Sequence, residues 1–250
     1  MAPASPRSTV EAAVEPISRR PASTAPWPLN LYASAVGKKW VMAVTGVIGL
    51  LFITGHMVGN LKIYLGPTEL NHYAEGLRTF GAPFAPREAI LWVIRSVLTV
   101  ALVLHVHAAF SLWTTNRRAR PVAYASRRDY IAANYASRTM IWTGPIVLLF
   151  IFAHLMDLTW GATNPDFVSG EVYHNVVVSF QRYPAVIIYV AANVALGFHL
   201  WHGAWSLFQS IGVNNPYLNG LRRAFATVFA LAIVAGNVSF PIAVALGIVS

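Results

Sequence analysis

The chain of 250 residues contains no cysteine, so it makes no disulfide and offers no thiolate to a metal or an iron–sulfur cluster. Charge is also scarce. Asp, Glu, Lys and Arg make up 11% of the residues, where a soluble domain carries about 25%. Set beside a hydrophobic share of 56% and a mean hydropathy of +0.53, that shortage excludes an ordinary soluble globule. Acid is the scarcer sign, and the net charge is +9. The first thirty residues lack any apolar block: they mix Pro, Ala, Ser, Thr and Arg. They cannot bury enough surface to fold and do not carry the hydrophobic segment of a cleaved signal peptide. A disordered, retained tail is expected over residues 1–30, with the remaining domain over 31–250.

What the chain does have is five long apolar stretches, at residues 40–61, 89–113, 140–160, 184–208 and 225–249. Each is long enough to cross about 30 Å of hydrocarbon at about 1.5 Å per residue. The fold class expected is all-α, an integral-membrane five-helix transmembrane bundle. Pro145 and Pro241 fall inside spans, where neighbouring helices compensate for a lost backbone hydrogen bond. Between the spans, Gly66-Pro67 followed by Leu70, Tyr73, Ala74 and Leu77 has the spacing of a short interfacial helix, and residues 172–180 suit another. Tyr64, Tyr73, Trp160, Tyr173, Tyr183 and Tyr189 are expected to form an outer aromatic belt.

Loop charge sets the orientation. Arg7, Arg19, Arg20, Lys38 and Lys39 precede the first span, Arg117, Arg118, Arg120, Arg127, Arg128 and Arg138 lie between the second and third, and Arg222 and Arg223 precede the fifth. The opposite side has Lys62, Arg78, Arg87 and Arg182, diluted by Glu69, Glu75, Glu88, Asp166 and Glu171. The positive-inside rule then predicts a multi-pass protein of the inner (plasma) membrane, N-terminus cytoplasmic and C-terminus external. Basic residues sit beside span ends and form no groove-sized patch, which removes a nucleic-acid partner.

Ionisable residues within spans are costly and mark function. They are His56, Arg95, His105, His107, His154, Asp157, His199 and His202. Counting about 1.5 Å per residue, His56 and His154 lie about 22 Å from the inner face. On the same count His105, His107, His199 and His202 lie about 5 to 9 Å from it. Two layers, each drawing histidines from two helices, suit two bis-histidine hemes, since each iron takes axial ligands from opposite faces. Single histidines in membrane helices also serve as hydrogen-bond links between helices, but depth matching in both layers favours ligation. Arg95 and Asp157, both about 4 to 8 Å from the outer face, suit an intramembrane ion pair or a heme propionate.

The run His56-Met57-Val58-Gly59-Asn60-Leu61-Lys62, continued by Leu70-Asn71-His72-Tyr73-Ala74 and Leu77-Arg78, resembles the first span and loop of a known family. That family is the five-helix cytochrome b anchor subunit of bacterial succinate:quinone oxidoreductase, respiratory complex II. Further blocks of the resemblance are Leu104-His105-Val106-His107-Ala108, Asn164-Pro165-Asp166-Phe167 with Val172-Tyr173-His174-Asn175, and Phe198-His199-Leu200-Trp201-His202-Gly203-Ala204-Trp205, covering about residues 30–250 in order. The resemblance implies an electron-transfer subunit with no succinate site of its own, bound at the cytoplasmic face to a flavoprotein subunit and an iron–sulfur subunit. It implies one or two hemes b, with His56 and His154 holding the outer and His107 and His199 the inner. His105 and His202 are extra to that pattern. Two residues apart on a helix is about 200° of rotation, so His105 and His107 cannot both face the bundle centre, whereas His199 and His202 can share a face. A His-ligated iron–sulfur cluster with thiolates from a partner subunit ranks below heme. A higher oligomer is compatible with this reading.

The resemblance also implies a quinone. Asn60, Lys62, Tyr64, His72, Tyr73 and His174 would offer donors to it on the outer side, and His202, Trp205, Ser206 and Trp40 on the inner side, the outer being favoured. Two other functions fit some of the same residues: a cytochrome b anchor of another respiratory dehydrogenase, and a proton- or ion-coupled carrier. Carriers usually show internal repeats or broken helix pairs, and the sequence has no repeat.

Overall fold

The structure, a computed structural model, describes residues 26–118, 131–213 and 215–250, with backbone alone for 131–138 and Pro28. Residues 1–25 of the tail expected over 1–30, and most of the basic loop between the second and third spans, lie outside the described residues. Every described element is helical. In chain order they are α1 (Trp27–Ala33), α2 (Ala35–Asn60), a 3-10 turn (Leu61–Leu65), α3 (Pro67–Thr79), α4 (Ala89–Arg118) and α5 (Ile131–Leu158). After these come α6 (Val172–Phe180), α7 (Tyr183–Ser210), a 3-10 turn (Pro216–Leu218) and α8 (Asn219–Ala245). Five of them are long and apolar enough to cross a membrane: α2 with its turn, α4, the 139–158 part of α5, α7 and α8 with its turn.

The boundary expected at residue 30 falls inside α1, because Pro28 in the first turn favours a helix start there. Ser34 then separates α1 from α2. Its extended backbone ends the first helix while its side chain accepts from Gly37 N at 2.9 Å to begin the second. A Cβ on Gly37 would lie 1.9 Å from Leu31 O, so glycine is required for α1 to fold back against α2. At the other end α8 stops at Ala245, earlier than the expected 249. Gly247 adopts φ +70°, and Ile248 N turns back to Ala243 O at 2.9 Å, which closes the helix with a left-handed residue.

The bundle contains three closely packed pairs. α2 runs along α4, α5 runs along α7, and α8 packs most extensively on α7 and also touches α2. Among the described residues, the backbones of α2/α4 and α5/α7 approach closely only along part of α2 and α7, and α4 and α5 scarcely meet. A seam therefore separates α2/α4 from α5/α7. The two expected interfacial helices are present and close the outer end of the bundle. Ile63, Leu70, Val177, Phe180, Tyr189, Phe240 and Val244 form the apolar core beneath them. Asn71 ties α3 to α6 by accepting from Tyr173 N at 3.0 Å and donating to Glu171 at 2.9 Å. Tyr73 lies against α2 at Gly59, where a Cβ would come within 2.6 Å of its hydroxyl.

Candidate functional site: two histidine pairs across the seam

Both histidine layers straddle the seam. In the outer layer His56 of α2 and His154 of α5 have ring centres 5.8 Å apart with planes at 89°. In the inner layer His105 of α4 and His199 of α7 have ring centres 6.4 Å apart with planes at 54°. Two imidazoles on opposite sides of one metal, each bound at about 2 Å, place their ring centres about 6 Å apart. Both separations match. Thr45 of α2 touches His105, and Gly144 of α5 lies beside His199. Eleven residues separate Thr45 from His56, and ten separate Gly144 from His154. The layers are thus about 15 Å apart on both sides of the seam.

The inner pair differs from the His107–His199 pair that the resemblance implies. His107 is exposed and turned toward α1, where its Nδ1 lies 2.5 Å from the Tyr32 hydroxyl and the rings stack. The reason is helical phase: two positions turn the side chain by about 200°, and α4 presents His105 to the bundle. His202 sits one turn further along α7, with its Nδ1 buried and without a partner.

The donor set fits heme. Thr45 Oγ1 donates to Val41 O at 2.7 Å, so its contact with His105 Nδ1 at 3.0 Å is one in which the imidazole N–H donates. That fixes the tautomer with a lone pair on Nε2, the atom a metal requires. A Cβ on Gly46 or Gly144 would lie 3.8 Å from His105 Cε1 or 3.9 Å from His199 Cε1, so small residues flank both rings. The Nδ1 atoms of His154 and His199 are buried without a partner. Among the described residues no three of His, Asp and Glu converge on one point. Paired imidazoles alone suit a metal whose other ligands come from a macrocycle.

The outer pair rests on a polar network that the sequence did not disclose. Asp157, one turn beyond His154, is buried at 5% exposure. It accepts from Arg182 at 2.5 Å, from Tyr189 Oη at 3.0 Å and from the Ser179 hydroxyl. Tyr189 packs its ring 5.8 Å from that of His154. The Arg95–Asp157 pair does not form. Arg95 is exposed on α4 and lies over Trp92 at 5.0 Å. Tyr189 is correspondingly in the core and not in the outer belt. A buried Asp with an Arg immediately before the next span was the available signal, since such a carboxylate needs a cation.

Of the outer quinone candidates, Lys62, His72 and Tyr73 share one cleft of about 330 Å³ with Glu69, Leu77 and Phe80. Lys62 Nζ is 3.8 Å from Glu69 and 5.8 Å from the Tyr73 ring centre. Residues 69, 72, 73, 76, 77 and 80 follow helical spacing, so one face of α3 makes most of this wall. Tyr64 is engaged elsewhere, donating to Ser239 at 2.7 Å, as is His174, 3.0 Å from Asp166 O. Asn60 does not line the cleft. On the inner side Trp205 is flanked by the Arg222 and Arg223 guanidiniums at 4.5 and 5.3 Å, Ser206 donates to Gly203 O at 3.2 Å, and Trp40 is exposed.

Residues 116–238 match the family described as succinate dehydrogenase/fumarate reductase transmembrane subunit. The matched stretch includes His154, Asp157, Tyr189, His199 and His202, while His56 and His105 lie before it. No curated protein and no solved structure matches the chain. The match covers just under half of the chain; with the five apolar helices it supports a multi-pass membrane-anchor subunit.

Proposed function

We propose that this chain anchors a succinate:quinone oxidoreductase and carries electrons across the seam between a docked iron–sulfur subunit and a membrane quinone. The observation that supports this most is the pair of histidine couples, 5.8 and 6.4 Å between ring centres, at two depths on opposite sides of one seam. His56 and His154 would hold the outer heme b, and His105 and His199 the inner. A heme so held supplies a one-electron carrier that needs no proton at each transfer. The chain's own residues supply the rest. Thr45 keeps His105 in the ligating tautomer, and the Asp157 network fixes α5 and α7 around His154. Layers about 15 Å apart set two macrocycles nearly edge to edge.

The flavoprotein and iron–sulfur subunits dock on the cytoplasmic face of the inner membrane, where the loop charge puts the His105–His199 layer. At the outer end, the cleft with Lys62, His72 and Tyr73 offers a cation, an imidazole and a phenol to a quinone carbonyl, with Leu77 and Phe80 as an apolar wall. The visible spectrum of the dithionite-reduced complex tests the reading. A b-type heme band is expected, and His105→Ala is expected to alter it while His107→Ala does not. A colourless complex with normal flavin content would overturn it.

A further inference from the structure

A groove on the lipid-facing side of the molecule, away from the seam, runs between α7 and α8. Its walls are Val194, Phe198 and Trp201 of α7 and Ala230, Leu231 and Val234 of α8, and it encloses about 280 Å³. Gly197 forms the floor. A Cβ there would lie 2.4 Å from Val234 Cγ2, so the missing side chain is what lets the two helices approach and leaves the channel above them. The one hydrogen bond across the groove, Trp201 Nε1 donating to Thr227 at 3.1 Å, ties its walls together and leaves no polar group to be satisfied by an occupant.

The same helix faces continue past the groove to a cationic end. On α8, residues 223, 227, 230, 231 and 234 lie on one face, and on α7 residues 194, 197, 198, 201 and 205 do. Trp205 and Arg223 therefore stand above the groove, with the exposed guanidinium 5.3 Å from the indole. Arg222 is buried 4.5 Å from the same indole, donating to Asn219 at 3.0 Å and to Trp205 O at 3.3 Å. Residues 183–250 contain no Asp or Glu, so the hairpin itself supplies no acidic side chain to Arg223. From Arg223 to Val234 is eleven residues, about 16 Å, which is the depth of one leaflet.

The geometry points to a site for one anionic phospholipid, with its phosphate at Arg223 beside Trp205 and one acyl chain in the groove over Gly197. Charge selects the occupant. An apolar groove alone would take any chain, but a guanidinium at the interface, one leaflet above the groove's far end, favours an anionic headgroup. The site lies on the outside of the α7–α8 pair and does not depend on what fills the seam.

Native mass spectrometry of the intact complex, stripped in detergent and then offered phosphatidylglycerol or phosphatidylcholine, reads the site directly. Phosphatidylglycerol is expected to be retained about fivefold better, the effect of one guanidinium near an anionic lipid. Arg223→Gln should remove that preference, and Arg223→Lys should keep most of it. Val194→Trp, on the opposite wall, should lower retention of both lipids, and excess inorganic phosphate should displace neither. Equal retention of the two lipids by the unsubstituted complex, as a quinone tail or a neutral lipid in the groove would give, overturns the assignment. So does a preference that survives Arg223→Gln, or displacement by phosphate.

Discussion

The two histidine layers are built from the same parts and supported in different ways. The outer pair stands on a buried carboxylate with three donors, beneath a lid formed by α3 and α6 and among core aromatics. The inner pair has one threonine hydroxyl behind it, and α1 reaches in only as far as His107. The lesson is that geometry and support are separate: ring spacings differ by less than 1 Å, yet the outer pair is fixed by charge and the inner pair by a neutral hydrogen bond. Neutral and charged supports respond differently to substitution, and that difference can be measured.

The sharpest test is to remove one histidine from each layer. His154→Ala and His56→Ala should abolish the same component of the reduced spectrum, His199→Ala and His105→Ala the other, each loss being close to complete because a single histidine does not hold a six-coordinate iron. Mixed effects across the layers would break the comparison.

Next in size is the carboxylate. Asp157→Ala leaves the Arg182 cation beside a buried Ser179 and Tyr189, and removing one partner of such a pair costs about 3 kcal/mol. Thermal unfolding of the complex should fall accordingly, the outer spectral component should broaden, and the inner one should stay as it was. A smaller effect is expected at Thr45→Val, which removes the acceptor of the His105 Nδ1–H and costs about 1 kcal/mol. A shifted reduction midpoint for the inner component alone, in a redox titration, is the expected result.

The smallest effect lies on the lid. The hydrogen bond from Arg87 holds the Glu75 carboxyl below the usual carboxylate range, with the Arg87 and Arg78 charges adding to it, against a weaker opposing effect of burial. A depressed folded-state pKa gives stability that is present above the unfolded carboxylate pKa and is lost as pH falls through the folded one. Glu75→Gln should therefore lower the melting temperature slightly at neutral pH, leave it unchanged below the folded-state pKa, and so flatten the acid side of the melting profile.

The spans and the depths of the histidines could be read from the sequence because a membrane imposes length and makes each polar group conspicuous. Rotation could not be read in the same way. α5 and α7 are apolar on nearly all sides, since lipid and helix neighbours make similar demands, so the pattern carries little information on which side faces inward. On α4 the resemblance put His107 opposite His199, whereas the structure turns His105 to His199 and His107 to Tyr32. Rotation is also why Asp157 could be recognised as needing a cation without showing that Arg182, and not Arg95, is the one within reach.

The seam has a consequence for how the protein is made. The close pair on each side of it consists of neighbouring spans in the chain, α2 with α4 and α5 with α7. Each can close as a helical hairpin soon after it leaves the translocon, with no long-range search. The interface between the hairpins is then the last to form, and every histidine couple spans it. Nothing placed between those imidazoles has to thread into a finished bundle: it is clasped as two half-proteins come together. The second hairpin, bearing His154 and His199, thus marks the moment in synthesis when a binding site first exists.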